Sequence, residues 1–226
     1  MNDLRRHMMM QQGERIPGYR RVAWIQGLGE QFIELDWYLS KYGYTFGNGE
    51  YGIHIIAEQT AETRSTEAIN GCFKGAPYYN SYDCLVANAS SMGIGLWCGS
   101  NVANKRWKPM GNKVIDLDFH AINAEFSYTQ KTDTNVYTFN HLPMLETPIN
   151  GLNHTFFCNN TIIKGYVNFS KIFRLYYARI FEQNFVMEIF PAVRTYDNKP
   201  GMYDIINDFF YTNKGTGEFI VGPNVN

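Results

Sequence analysis

Charge is scarce in this chain of 226 residues. Asp, Glu, Lys and Arg together make up 18% of it, against about 25% in an average soluble domain. Twenty basic and 21 acidic residues leave a net charge of −1 and a pI near 6.5. No global basic field exists to recruit nucleic acid or an anionic membrane. Few charges combined with 16% aromatic residues exclude intrinsic disorder and a coiled coil. Cysteine is sparse too. Cys72, Cys84, Cys98 and Cys158 form no C-x-x-C pair and match no zinc framework. They are expected as free thiols packed like small hydrophobes, although spacing alone does not exclude one disulfide. Long apolar runs are missing. Residues 84–104 carry no charge, but Asn88, Ser90, Ser91, Ser100, Asn101 and Asn104 bar a lipid-facing helix. The charged start has no apolar signal-peptide region, so synthesis in a cytoplasm is expected. Sequons at Asn88, Asn153, Asn159 and Asn168 read as accidents of an Asn- and Thr-rich chain. G-x-S-x-G and the phosphate-binding G-x-x-x-x-G-K-S/T are both absent. Gly93-Ile94-Gly95 lacks the third glycine of a dinucleotide site. No cofactor is expected.

What is present is strand after strand. Residues 113–119 alternate, with Val114, Asp116 and Asp118 on one face and Ile115, Leu117 and Phe119 on the other, as a half-buried strand does. Residues 22–25, 31–35, 53–57, 85–86, 94–97, 124–129, 135–139 and 164–169 read similarly. Residues 174–181 and 185–190 flank Glu182-Gln183-Asn184 as a hairpin. Residues 209–211 and 218–221 flank 212–217 as a second one. Residues 61–69 and 203–208 are the two places for a short helix. Neither is long enough for a parallel crossover. Composition never breaks, and no repeat appears. The expected fold is all-β: an antiparallel two-sheet jelly-roll sandwich over residues 17–226. Residues 1–16 form a helical or extended N-terminal appendage. Leu4, Met8 and Met9 offer that appendage an adaptable apolar stripe. Arg5 and Arg6 belong to a local excess of positive charge that suits an acidic partner. These five residues are the attachment and assembly candidates.

Two stretches resemble a known family. The first is Gly18-Tyr19-Arg20 through Trp24-Ile25-Gln26, then Gly29-Glu30-Gln31-Phe32-Ile33-Glu34-Leu35. The second runs Arg174-Leu175-Tyr176-Tyr177-Ala178-Arg179-Ile180-Phe181, Phe190-Pro191-Ala192-Val193-Arg194 and Lys199-Pro200-Gly201-Met202-Tyr203-Asp204. It closes with Phe209-Phe210-Tyr211-Thr212-Asn213 and Gly215-Thr216-Gly217-Glu218-Phe219. Together they resemble the concanavalin-A-like (laminin-G-like) jelly-roll domains of phage and prophage structural proteins from gut bacteria. That resemblance implies a virion protein: a head fibre, tail fibre or decoration subunit made in the bacterial cytoplasm. It implies a homo-oligomer, expected as a trimer, with other capsid or tail proteins as partners. It supplies no agreed catalytic set, so a non-enzymatic role is expected. In the closing motif, Pro200-Gly201 is read as a chain reversal, and Phe209, Phe210, Tyr211 and Phe219 as core.

Site candidates follow from chemistry. Sugars stack C–H faces on aromatic rings while polar neighbours fix orientation. Tyr78, Tyr79 and Tyr82 form a loop-like run with Asn80, Ser81 and Asp83. Trp97 and Trp107 flank Asn101, Asn104, Lys105 and Arg106. These five aromatics are the candidates for binding a bacterial surface glycan, either on a virion or as a lectin module. Glu34 and Asp36, on one face of a strand, are the alternative: a glycoside hydrolase pair. The third acid of the E-x-D-x-x-E pattern of some jelly-roll glucanases is replaced by Leu39. Asp116 and Asp118 have the same spacing. No calcium-loop motif accompanies either pair, so no metal is expected.

Overall fold

The structure is a computed structural model. It describes residues 16–60, 67–73, 82–88, 93–99, 105–107, 114–132, 135–143, 151–161, 165–167, 169 and 173–225. Every regular element among them is a strand. The chain opens with β1 (Tyr19–Arg21), β2 (Ile25–Gln26), β3 (Ile33–Glu34) and β4 (Glu50–Gln59). Next come β5 (Glu67–Phe73), β6 (Tyr82–Asn88), β7 (Gly93–Gly99) and β8 (Lys105–Trp107). The middle holds β9 (Val114–Ile122), β10 (Glu125–Lys131) and β11 (Val136–Pro143). The short β12 (Thr155–Phe156), β13 (Asn159–Thr161) and β14 (Gly165–Val167) follow. The chain closes with β15 (Phe173–Glu182), β16 (Phe185–Arg194), β17 (Pro200–Asp204), β18 (Phe209–Thr212) and β19 (Ile220–Val221).

These strands make two sheets. The larger runs β11-β10-β9-β4-β15-β16-β17-β18, and the smaller β14-β13-β5-β6-β7-β8 with β12 and β3 attached. Pairing is antiparallel throughout, except between β13 and β5. The expected all-β antiparallel sandwich is therefore what forms. Alternation explains the layering. In β9, Ile115, Leu117 and Phe119 are buried while Asp118 is exposed. Ile53, Ile55 and Ala57 of β4 and Ile180 of β15 turn the same way and meet Ile33, Leu35, Trp37 and Phe156 in one core. Each Ile, Leu or Phe among them contributes roughly 1.5–3 kcal/mol by leaving water.

β15 and β16 begin as a hairpin, paired from Glu182↔Phe185 to Ala178↔Ile189. They then splay apart. The first two strands fill the wedge, β2 against Arg174 and Leu175 and β1 against residues 192–194 of β16. β19 lies against β2 in turn.

Several local expectations are corrected. Residues 203–208 are not helical. Tyr203 and Asp204 end β17, and the Asp204 carboxylate accepts from the Ile206 and Asn207 amides at 3.0 and 3.3 Å, which fixes a turn. Residues 67–69 of the other candidate helix lie in β5, where they pair with β6. Its first six residues lie outside the described part. Pro200-Gly201 does not reverse the chain. It starts β17 opposite Val193 and Ala192, because proline is tolerated at a strand's first residue. The reversal lies before it, where Arg194 Nη2 grips Asp197 Oδ2 at 2.6 Å. Residues 218–221 form no hairpin with 209–211, since β19 pairs with β2 instead. Tyr211 and Phe219 are core, but Phe209 is 52% exposed and Phe210 only half-buried.

Candidate functional site

The side of the larger sheet turned away from the core carries the densest chemistry among the described residues. Its organising feature is a β-bulge. Leu175 lies opposite Ala57 and Tyr177 opposite Ile56, so Tyr176 is an extra residue in β15. Bulges re-aim side chains. Here the consequence is that two successive tyrosines each reach a carboxylate. The Tyr176 hydroxyl donates to Glu58 Oε2 at 2.5 Å, and the Tyr177 hydroxyl to Glu188 Oε1 at 3.3 Å. Glu58 is buried and also accepts from Arg174 Nη1 at 3.2 Å. Arg174 Nε donates to Gln26 Oε1 at 3.2 Å, and its guanidinium sits 4.3 Å from the centre of the Trp24 ring. Arg21 lies 4.4 Å over Phe190.

Burial dominates the electrostatics. It pushes both phenols up, reinforced by Glu58 at Tyr176 and Glu188 at Tyr177. Both therefore act as O–H donors, not as phenolate nucleophiles. Burial also lowers the Arg21 guanidinium from its ordinary value, with Glu188 opposing. Desolvated charge gathered in one place is a mark of functional sites as well as of structural networks.

Beside this cluster a polar row crosses six strands. Thr138, Thr129, Asp118, His54, Arg179 and Glu188 stand opposite one another in register from β11 to β16. At about 4.8 Å per strand the row spans roughly 24 Å. Thr138, Asp118 and Arg179 are exposed. His54 Nε2 is 2.7 Å from Asp116 Oδ1, and the His54 ring meets Tyr177 edge-on at 5.4 Å. Ile56, Tyr177 and Phe190 pack beside the row in a small buried apolar cluster. The face therefore offers hydroxyl, carboxylate, imidazole and guanidinium groups at strand spacing.

The sequence candidates fall elsewhere. Tyr78 and Tyr79 lie outside the described residues, as do Leu4, Arg5, Arg6, Met8 and Met9. Tyr82 is not in a loop: it begins β6, opposite Phe73 and Gly99. Trp97 lies in β7 opposite Cys84, and Trp107 ends β8 opposite Ile94. All three belong to the smaller sheet. Glu34 and Asp36 are each held by separate partners. Glu34 Oε1 accepts from Asn153 Nδ2 at 3.1 Å, and Asp36 Oδ1 from Lys41 Nζ at 2.6 Å. Asp116 and Asp118 do lie on the outer face described above. Among the described residues no group of three or more His, Cys, Asp and Glu side chains is placed to hold a metal. Cys158 is buried, and burial pushes its thiol up to about 12. Sequence reasoning missed His54, Glu58, Arg174, Tyr176, Tyr177, Arg179 and Glu188. Period-two alternation marks His54 and Glu58 as facing away from the core, but which strands lie side by side is not written in that pattern.

No family model and no curated protein matches the chain. It is similar to a solved structure of a mutant Trypanosoma rangeli sialidase that displays trans-sialidase activity. The identity is 10% and the TM-score 0.47, over 76% of this chain and 26% of that one. The chain thus spans about a quarter of that enzyme. A likeness of this size assigns no activity to the chain. The non-enzymatic role expected from the sequence is not upheld by this match, which is to part of an enzyme. The phage origin implied by the sequence resemblance receives no support from this match.

Proposed function

We propose that the protein is a carbohydrate-recognition domain that lays a glycan across the outer face of its larger sheet. The observation that carries this reading is the in-register row of hydroxyl, carboxylate, imidazole and guanidinium groups across six strands. A polyhydroxylated chain is held by many oriented donors and acceptors. Several sugar units fit along roughly 24 Å of sheet.

The test is titration of purified bacterial capsular and O-antigen polysaccharides into the full chain and into an Asp118→Ala, Arg179→Ala double variant. Both side chains are exposed, so the fold persists. The expected result is binding of at least one polysaccharide and a loss of about tenfold or more in the variant, as removal of hydrogen bonds to charged groups implies. Absence of polysaccharide binding by the native chain overturns the reading. Assaying the same mixtures for new reducing ends determines whether the bound glycan is also cut.

Display on a virion, with a bacterial surface glycan as target, belongs to the same reading and rests on the resemblance of the opening and closing motifs. Assembly as a homotrimer through residues 1–16 goes with it. Mass spectrometry of intact phage particles should then find this chain. Deleting residues 1–16 should leave a folded domain that no longer incorporates. A deletion variant that assembles normally removes the attachment role.

A further inference from the structure

We propose that β11 is a dimerisation edge, pairing antiparallel with β11 of a second copy of this chain across a two-fold axis. A strand at the end of a sheet has one side of its backbone without ladder partners, and proteins guard such edges by keeping them short, charged or covered. Among the described residues, the other strands that end the two sheet orders follow that rule. β8 and β14 have three residues each, and β18 has four. β8 contains Lys105 and Arg106. Ile33 bridges Asn213 just past the end of β18.

β11 is different. It runs for eight residues, and among the described residues it pairs with β10 alone. Residues 135–143 contain no Asp, Glu, Lys or Arg. A bulge guards only the far half, where Asn140 and His141 together face Ser127. Residues 136–139 keep an unbroken register with β10. Val136 is 64% exposed and Tyr137 40%, and Thr138 is exposed as well.

The ladder fixes which backbone groups are unused. The Thr132 amide donates to the Asn135 carbonyl at 2.8 Å. Hydrogen-bonded and non-hydrogen-bonded pairs alternate along an antiparallel ladder. Tyr137 and Phe139 therefore bond to β10, while the N–H and C=O groups of Val136 and Thr138 point outward.

A second copy satisfies those groups in one register. With the axis at Tyr137, Val136 lies opposite Thr138 of the second copy, and each such pair exchanges two hydrogen bonds. Tyr137 then meets its own counterpart in a non-hydrogen-bonded pair, where side chains come closest. Aromatic and β-branched residues are the favoured cross-strand neighbours, and no like charges stand opposite one another. The strand thus complements itself, as an isologous contact requires. That self-complementarity favours a second copy over a foreign peptide. A single strand pair is a small interface, so the dimer is weak and reversible.

The full chain is sedimented from micromolar to near-millimolar concentration. The mass per particle is expected to double over that range, whatever assembly residues 1–16 set at the dilute end. Thr138→Pro removes an outward N–H and leaves the β10 ladder intact. It should keep the far-ultraviolet spectrum of the native chain and abolish the doubling. Tyr137→Cys should give a disulfide-linked pair on mild oxidation where the native chain gives none. The two residues would stand about 4.5 Å apart between Cα atoms, within disulfide reach. A native mass that stays constant overturns the proposal and leaves the edge to an extended segment of another protein. Doubling that persists in a folded Thr138→Pro overturns it too. If the proline variant does not fold, absence of the cross-link in Tyr137→Cys still overturns it.

Discussion

Glu182 shows what one side chain does in this fold. It is fully buried at the end of β15. Its Oε2 accepts from Trp37 Nε1 at 3.0 Å, and its Oε1 from the Tyr42 and Tyr44 amides, both at 2.9 Å. The carboxylate thereby clamps the segment after β3 onto the β15–β16 hairpin. Glu182→Ala strands three buried or half-buried donors, each costing about 1–3 kcal/mol when unsatisfied. A loss of roughly 3 kcal/mol or more is expected in urea denaturation, and a smaller one for Glu182→Gln, which keeps one acceptor. The tyrosines act in the opposite pH direction from a carboxylate held below its ordinary value. The Asp208 hydrogen bond raises the Tyr203 phenol to about 12, and burial with the Glu34 bond raises Tyr166 to about 12. Unfolded tyrosine titrates near 10. Between roughly pH 10 and 12 the unfolded chain loses protons that the native one keeps, so stability falls as pH rises through that window and is fully present below it. Ultraviolet titration of phenolate against pH should show this, with ionisation of native protein lagging that in urea. Coincident curves contradict it.

At the scale of the element, the closing turn accounts for part of the motif that marks this chain. Asn213 Oδ1 accepts from the Phe32 and Gly215 amides at 3.1 and 2.9 Å, while its Nδ2 donates to the Gly217 carbonyl at 2.8 Å. Gly217 has φ of 74°, and a Cβ on Gly215 would stand 1.6 Å from the Glu30 carbonyl oxygen. The obstacle is backbone and cannot swing aside. Gly215→Ala should cost about 1–3 kcal/mol or more, read as a lower urea midpoint with unchanged slope. The strands themselves were legible wherever apolar and polar residues alternate, as in β9, β10, β15 and β16. β5 was not, because Glu67-Ala68-Ile69-Asn70-Gly71 has no period of two and its pairing with β6 is itself bulged. The outer-face site was illegible for a related reason. Its residues come from strands far apart in the chain, Arg21 and Phe190 being 169 positions apart, and the bulge at Tyr176 depends on β4 lying alongside.

For the whole molecule, the decisive contact joins the two ends of the described chain. β19 pairs with β2, Val22 bridges Asn224, and the Val225 amide donates to the Arg21 carbonyl at 3.1 Å. With β1 and β2 filling the wedge between β15 and β16, the last residues hold the first in place, and the first complete the sheet. Removing residues 218–226 should therefore lower the melting temperature of the entire sandwich in a single calorimetric transition, not fray one corner. Two separate transitions would sink that account.

The same antiparallel closure has a mechanical side. In this ladder Arg21 lies beside Val225 and Gln26 beside Ile220, so the lowest and highest numbers meet at one end. Ladder bonds lie across the strands. A force pulling those ends apart therefore loads them one after another, like the teeth of a zip. A body stretched between its own ends would peel open there first. One held through a single end passes no load through this closure, and the seam stays shut.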